Sequence, residues 1–318
     1  MSKLGVVLGA GVLASVSLTT ALAQGASDAT RAANDALREY LPFENTRDLE
    51  NAQRGFIATI DDPEIRGAEG NLVIDLGFYD FIEGDAPETA NPSLWRQSQL
   101  NAIHGLFEVT EGIYQVRAFD LANVSFIRGD TGWIVVDPLL ATETAAAAYD
   151  LISEHVEELP ISAVIYTHSH VDHFGGVKGL IDQSDVDEGS ITVIGPEEFF
   201  IESVNENLLA GTHMSRRAQF MYGNAAGKSA TGSLGSGLGT TTAAGTVTII
   251  EPTIDIEEIT TSGGHPEELV TVLQADLVSA RQVQIELVNQ DRRLEGVVHP
   301  LLVHVSPSNL AQLFHHQR

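Results

Sequence analysis

The sequence predicts a layered α/β protein with mixed sheets. Three features of the 318-residue chain carry that expectation. Strand-like segments follow one another through short turns between residues 106 and 136. From residue 142 onward, helical and strand-like segments alternate. The composition is 43% hydrophobic and 19% charged, which suits a packed core rather than a disordered chain.

Ser27-Asp28 offers a cap for a helix reaching about Leu41. Segment 55–95 reads as short strands and turns, among them Asn71-Leu72-Val73-Ile74-Asp75. Four strands are expected at 106–110, 113–117, 124–128 and 133–136, with Glu111-Gly112 and Asp130-Thr131-Gly132 supplying turns. An alanine-rich helix over 142–156 leads into a buried strand at 163–166, and a helix–strand–helix alternation continues to about Tyr222. Residues 223–240, rich in Gly, Ser, Thr and Ala, read as loop. Within them, 223–229 imitates a phosphate-binding loop but has three residues between its glycines where that motif needs four, and no strand before it.

The formal charge of −27 argues against partners that require phosphate neutralisation, so neither nucleic acid nor an anionic lipid surface is expected. A small anionic substrate stays possible, because a metal ion reverses the field locally. The absence of cysteine removes disulfides, thiolate ligands, iron–sulfur clusters and cysteine nucleophiles together. At the N-terminus, Lys3 precedes an apolar stretch that ends in Ala21-Leu22-Ala23 before Gln24. A positive start, an apolar middle and an A-x-A end predict a signal peptide over residues 1–23, hence a periplasmic or secreted protein with no membrane association after cleavage.

The chemistry concentrates in Thr167-His168-Ser169-His170-Val171-Asp172-His173-Phe174-Gly175-Gly176, which follows the apolar strand directly. In an extended His-x-His pair both imidazoles point to the same side, so His168 and His170 can share one metal ion. Asp172 and His173 fall where the chain turns and can face a second ion nearby. Imidazole and carboxylate donors suit zinc or manganese-like ions. His104, His213 and His265 are expected to be merely solvated.

His-x-His-x-Asp-His after a strand resembles the signature of the metallo-β-lactamase superfamily. Longer stretches resemble its secreted alkyl and aryl sulfatases: Asn91-Pro92-Ser93-Leu94-Trp95-Arg96-Gln97, Ile103-His104-Gly105-Leu106-Phe107, Ile113-Tyr114-Gln115-Val116-Arg117, Val177-Lys178-Gly179, Met214-Ser215-Arg216-Arg217-Ala218-Gln219 and Gly237-Leu238-Gly239. The similarity spans roughly residues 45–260. It implies an αββα sandwich in which His168 and His170 bind one zinc and Asp172 and His173 a second. Asp137, at the end of Ile134-Val135-Val136, matches a position that supports the site through hydrogen bonds. Arg216 and Arg217 become candidates for contact with a sulfate head, and the implied reaction is zinc-dependent hydrolysis of a small anionic alkyl sulfate ester to an alcohol and sulfate.

The resemblance also implies further glutamate and histidine ligands, a helical dimerisation domain that makes the family homodimeric, and a C-terminal lipid-binding-like domain. No match to these is found past about residue 263. Residues 265–318 hold four basic and six acidic residues and one of the 29 glycines, a composition unlike the rest. Residues 24–262 are therefore read as the N-terminal part of the catalytic domain, and 263–318 as an unmatched tail, consistent with a frame-shifted segment. The fold is then expected to be incomplete at its C-terminus and activity in this form doubtful. A diverged tail in which Glu286, His299 or His304 completes the site is the alternative. Competing functions are another hydrolase of the same fold (lactam, lactone or thioester) and a non-catalytic truncated product.

Overall fold

Helix α1 (Asp28–Tyr40) starts where Ser27 turns its Oγ to accept the Thr30 N–H at 3.1 Å, the cap expected from the sequence. The computed structural model describes residues 25–256 apart from Asn224. The expected signal peptide, the tail with its helix over 269–288, and His265, Glu286, His299 and His304 lie outside the described residues.

After α1 come α2 (Arg47–Gln53) and β1 (Phe56–Ala58), then the antiparallel pair β2 (Glu64–Arg66) and β3 (Leu72–Asp75). Helix α3 (Pro92–Asn101) falls at the end of the stretch read as strands and turns. Its start was nevertheless written in the chain: Asn91 Oδ1 accepts from the N–H groups of Ser93 and Leu94 at 2.9 and 3.1 Å, with Pro92 at the first helical position.

The four expected strands appear as β4 (Gly105–Thr110), β5 (Ile113–Arg117), β6 (Val124–Arg128) and β7 (Trp133–Val136), an antiparallel meander. Helix α4 (Thr142–His155) then crosses over to β8 (Ile161–Ile165), which pairs parallel with β7. The short α5 (Gln183–Asp187) precedes β9 (Thr192–Pro196). An arm follows: α6 (Phe199–Val204), a π-helical segment at Asn205–Ala210, and α7 (Gly211–Met221). Strand β10 (Ile254–Ile256) closes one eight-stranded sheet in the order β1-β4-β5-β6-β7-β8-β9-β10. The only other sheet among the described residues is the β2–β3 pair.

The parallel strands are buried on both faces, which is why they read as unbroken apolar runs. Trp133, Val135, Val164 and Val193 are fully buried, and Ala148, Leu151 and Ile152 of α4 pack into the same core. The glycine-rich stretch 223–240 has no helix among its described residues, as expected. Lys228, instead of cradling phosphate, sits 4.0 Å above the Phe78 ring. No helix among the described residues is long and apolar enough to cross a membrane.

Candidate metal centre

The parallel strands β7 and β8 end side by side, and the chain beyond each end carries the polar residues, the usual place for a site in such sheets. Beyond β8, the histidine motif is pinned on both flanks by buried rings. Tyr166 is 1% exposed, donates to the Ile250 carbonyl at 3.1 Å and stacks on Phe199 at 4.7 Å. Phe174 closes the other flank against Tyr166 and Phe199. Between them, His170 is extended and Val171–His173 form one 3-10 turn.

Gly175 and Gly176 act by their lack of a side chain. Neither has a positive φ; a Cβ on Gly175 would strike the Leu140 carbonyl, and one on Gly176 the Pro138 carbonyl. The motif can therefore lie directly on the segment after β7. That segment is bent twice into the left-handed region, with φ of +56° at Asp137 and +62° at Leu139. Such geometry in a bulky residue persists only where the surroundings hold it. Here Leu139 is fully buried and its carbonyl accepts the Gly176 N–H at 3.0 Å.

The bend delivers the Asp137 carboxylate to the motif. One oxygen accepts the Thr167 N–H at 2.8 Å; the other accepts the Thr167 hydroxyl at 2.7 Å and the His173 Nδ1–H at 2.8 Å. Because Asp137 holds the Nδ1 proton, Nε2 is the nitrogen from which His173 would release a proton to accept a cation. Thr167 does the same for His168: its hydroxyl proton is given to Asp137, so its oxygen accepts from His168 Nδ1 at 2.9 Å. The His168 ring lies 4.6 Å from the His170 ring and 4.0 Å from the His173 ring, centre to centre.

Charge follows from these contacts. Burial works to lower the His173 pKa, but hydrogen bonds to Asp137 and Asp172 outweigh it and raise it to about 9. Burial and the two neighbouring imidazoles push His168 down. Asp172, despite burial, is held low by His173.

The four residues fit a divalent cation in donor type and proximity, yet two of them already satisfy each other. Asp172 Oδ2 is 3.4 Å from His173 Nε2, and His170 Nε2 is 3.2 Å from Glu206 Oε1 on the π-helical segment. Consequently no three His, Asp or Glu side chains among the described residues converge on one point. A bound cation would take over Nε2 of His173 and draw His170 from Glu206.

A cavity of about 400 Å³ opens on the cluster, lined by His170, Asp172, His173 and Asp137 and walled by Gln115, Ser125, Val136, Leu121, Asn123 and Leu238. Arg216 and Arg217 lie on exposed turns of α7 and line no part of it, so the structure does not bring them to the cluster. His104 is a correction: it is half-buried, with Nδ1 2.7 Å from the Thr59 hydroxyl, and burial lowers its pKa. His213 is exposed, as expected.

Two residues escaped the sequence reading. Glu206 carries no local mark in the chain, since only the π-helical turn aims it at His170; such turns gather at functional sites. Asp120 is 1% exposed and accepts four hydrogen bonds. Oδ1 takes the N–H groups of Leu121 and Ala243 at 2.7 and 3.1 Å; Oδ2 takes the Leu140 N–H and the Thr144 hydroxyl, both at 3.2 Å. It thereby ties the chain at Leu121, Leu140 and Ala243 to the start of α4. An acidic residue between Phe119 and Leu121, in an otherwise apolar stretch, was the available signal.

A single sheet that turns from antiparallel to parallel, with imidazoles and a carboxylate at its parallel strand ends, defines a mixed α/β class with a histidine-rich candidate site. The sequence model of the metallo-beta-lactamase superfamily matches residues 117–285, more than half of the chain, and the chain belongs to that superfamily. The fold implies metal ions. Among individual relatives, the chain is 54% identical over 238 residues to a linear primary-alkylsulfatase of a Pseudomonas species, which covers 74% of this chain and 35% of the relative. It is 45% identical over 230 residues to an alkyl/aryl-sulfatase of Saccharomyces cerevisiae, covering 72% and 36%. The solved structure of a stereoselective inverting sec-alkylsulfatase from Pseudomonas superposes with a TM-score of 0.70 at 45% identity, over 74% of this chain and 37% of that one. The chain thus spans little more than a third of the length of these relatives.

Proposed function

We propose that this chain carries the zinc-binding part of an exported alkyl sulfate hydrolase that yields an alcohol and inorganic sulfate. The observation that carries the reading is the His168-x-His170-x-Asp172-His173 cluster, held at the end of β8 by Asp137, in a chain 54% identical to an alkylsulfatase. His168 and His170 would hold one zinc ion, Asp172 and His173 the other. When bound, the ions supply positive charge for the ester's sulfate oxygens and for the attacking water. The chain's own part is to fix the imidazole protons: Asp137 holds that of His173 and Thr167 that of His168, both on Nδ1. Leu121, Val136 and Leu238 offer the cavity an apolar wall for an alkyl chain, with Gln115, Asn123 and Ser125 as polar neighbours. Export rests on the signal-like residues 1–23, and N-terminal sequencing of exported protein should begin at Gln24.

The test is sulfate release from dodecyl sulfate by zinc-loaded chain, beside lactam, lactone and thioester substrates. Sulfate release that is lost in the His168→Ala/His170→Ala double variant supports the reading; turnover of the other esters alone overturns it. A second reading, a non-catalytic product that binds metal only weakly, is favoured by the lack of three converging donors among the described residues. Weak zinc uptake with no turnover of any ester would establish it.

A further inference from the structure

We propose that a second cavity, of about 170 Å³, on the far side of the wall formed by Leu121, Asn123 and Leu238, is a subsite for a small tetrahedral oxyanion, bound by Arg117 and Asn101. Arg117 ends β5 and is half-buried, its guanidinium carbon 4.3 Å above the centre of the buried Phe107 ring. The other partly buried arginines, Arg31, Arg38 and Arg96, each face a carboxylate. Among the described residues, none lies within ion-pairing distance of Arg117. Its protein contacts are to neutral acceptors: Nε donates to Gln115 Oε1 at 2.7 Å, and Nη1 reaches the Ala52 carbonyl at 3.5 Å. Burial alone moves its pKa, downward. A desolvated guanidinium without a counter-ion, in a chain of net charge −27, is a place where an anion is stabilised.

The second observation is Asn101, at the end of α3. Its Oδ1 accepts from Gln97 Nε2 at 3.2 Å, while its Nδ2 is buried with no partner among the described residues. A buried amide donor left unmade is costly, and the group that satisfies it must be an acceptor. An oxyanion, which only accepts, serves both Asn101 and Arg117. Asp120 also borders the cavity, but both its oxygens are committed to the four donors already described.

The subsite communicates with the metal centre through side chains. Gln115, which receives the Arg117 Nε–H, donates in turn to the Ser125 hydroxyl at 3.2 Å, and both Gln115 and Ser125 line the larger cavity. If the proposed sulfatase reading holds, the ligand is inorganic sulfate leaving the reaction or the head of an incoming ester. The binding itself does not depend on that reading.

Calorimetric titration of the full chain, stripped of metal by a chelator, tests the site with sodium sulfate against sodium chloride at matched ionic strength. Saturable sulfate binding is expected. Arg117→Gln and Asn101→Leu should each weaken it by about tenfold or more, the worth of a charge-assisted or buried hydrogen bond. The His168→Ala/His170→Ala double variant should leave it unchanged. No saturable binding, binding that survives Arg117→Gln, or binding lost with the histidines overturns the proposal. A parallel titration with octyl sulfate separates the sources: Arg117-dependent binding assigns the ester head, and binding of inorganic sulfate alone assigns the product. Since no turnover is measured, an inactive chain would sink the sulfatase reading and leave this one standing.

Discussion

Replacing Asp120 by alanine should destabilise the chain more than any other single change to a surface or loop carboxylate. The substitution strips the acceptor from four donors at once. The Ala243 N–H is fully buried, and an unpaired buried donor costs about 1–3 kcal/mol. The Leu121 and Leu140 N–H groups are only partly buried, so they cost about 1 kcal/mol each. Thr144 retains the Ala141 carbonyl at 2.9 Å and loses little. Relief of a buried charge offsets about 1 kcal/mol, leaving a net loss of about 2–4 kcal/mol. Urea unfolding followed by tryptophan fluorescence should show a lower midpoint at unchanged slope. A loss below about 1 kcal/mol would refute the idea that Asp120 clamps these segments. Asp120→Asn adds a pH signature. Burial raises the Asp120 pKa above the ordinary aspartate range, against the pull of its hydrogen bonds. A raised folded pKa contributes stability that is complete below the unfolded pKa and lost as pH climbs through the folded one. The advantage of Asp120 over Asn should therefore be greatest at about pH 4 and shrink toward neutrality. A difference that does not vary with pH would contradict the assignment.

Three further outcomes follow from the metal centre. Asp137→Ala frees the His173 ring and orphans the Thr167 N–H, so zinc affinity, measured by competition with a chelating dye, should drop by about 10–100-fold while the sheet remains folded. In Gly176→Ala the new methyl meets the Pro138 and Ala141 carbonyls and the Ala145 methyl; a cost of about 1–3 kcal/mol is expected, and unchanged thermal stability would show that the segment after β7 yields easily. Glu206→Ala removes the competitor for His170, so zinc should bind more tightly to the variant; weaker binding would instead make Glu206 a ligand.

The antiparallel meander was legible residue by residue, because β4 to β7 alternate with turn residues that a strand cannot accommodate. Helix α3 was missed although Asn91-Pro92 announced it, since the short, turn-rich stretch before it masked the change of period. The His-x-His-x-Asp-His cluster was legible as a motif because all four side chains fall within six residues, although backbone geometry alone does not make three of them converge among the described residues. Asp137 was found as a strand-ending acid, but its bonds to Thr167 and His173 depend on two left-handed residues and on glycines 38 and 39 positions further on. Arg216 and Arg217 show the opposite limit: a motif match placed them near the substrate, and the run of α6 and α7 leaves them exposed.

By itself the sequence determined what local order can encode: the strand meander, the apolar parallel strands, the His-x-His-x-Asp-His turn and the donor chemistry that such a turn offers. Tertiary structure alone decided which distant groups complete it. Asp137 reaches across from β7, Asp120 gathers Leu121, Leu140 and Ala243, Glu206 arrives on a π-helical turn, and Arg117 lines one cavity with Asn101 and has no carboxylate partner among the described residues. The reason is physical: hydrogen bonds between buried groups are set by where parallel strands end and how closely backbones approach, and neither distance is written in residue spacing.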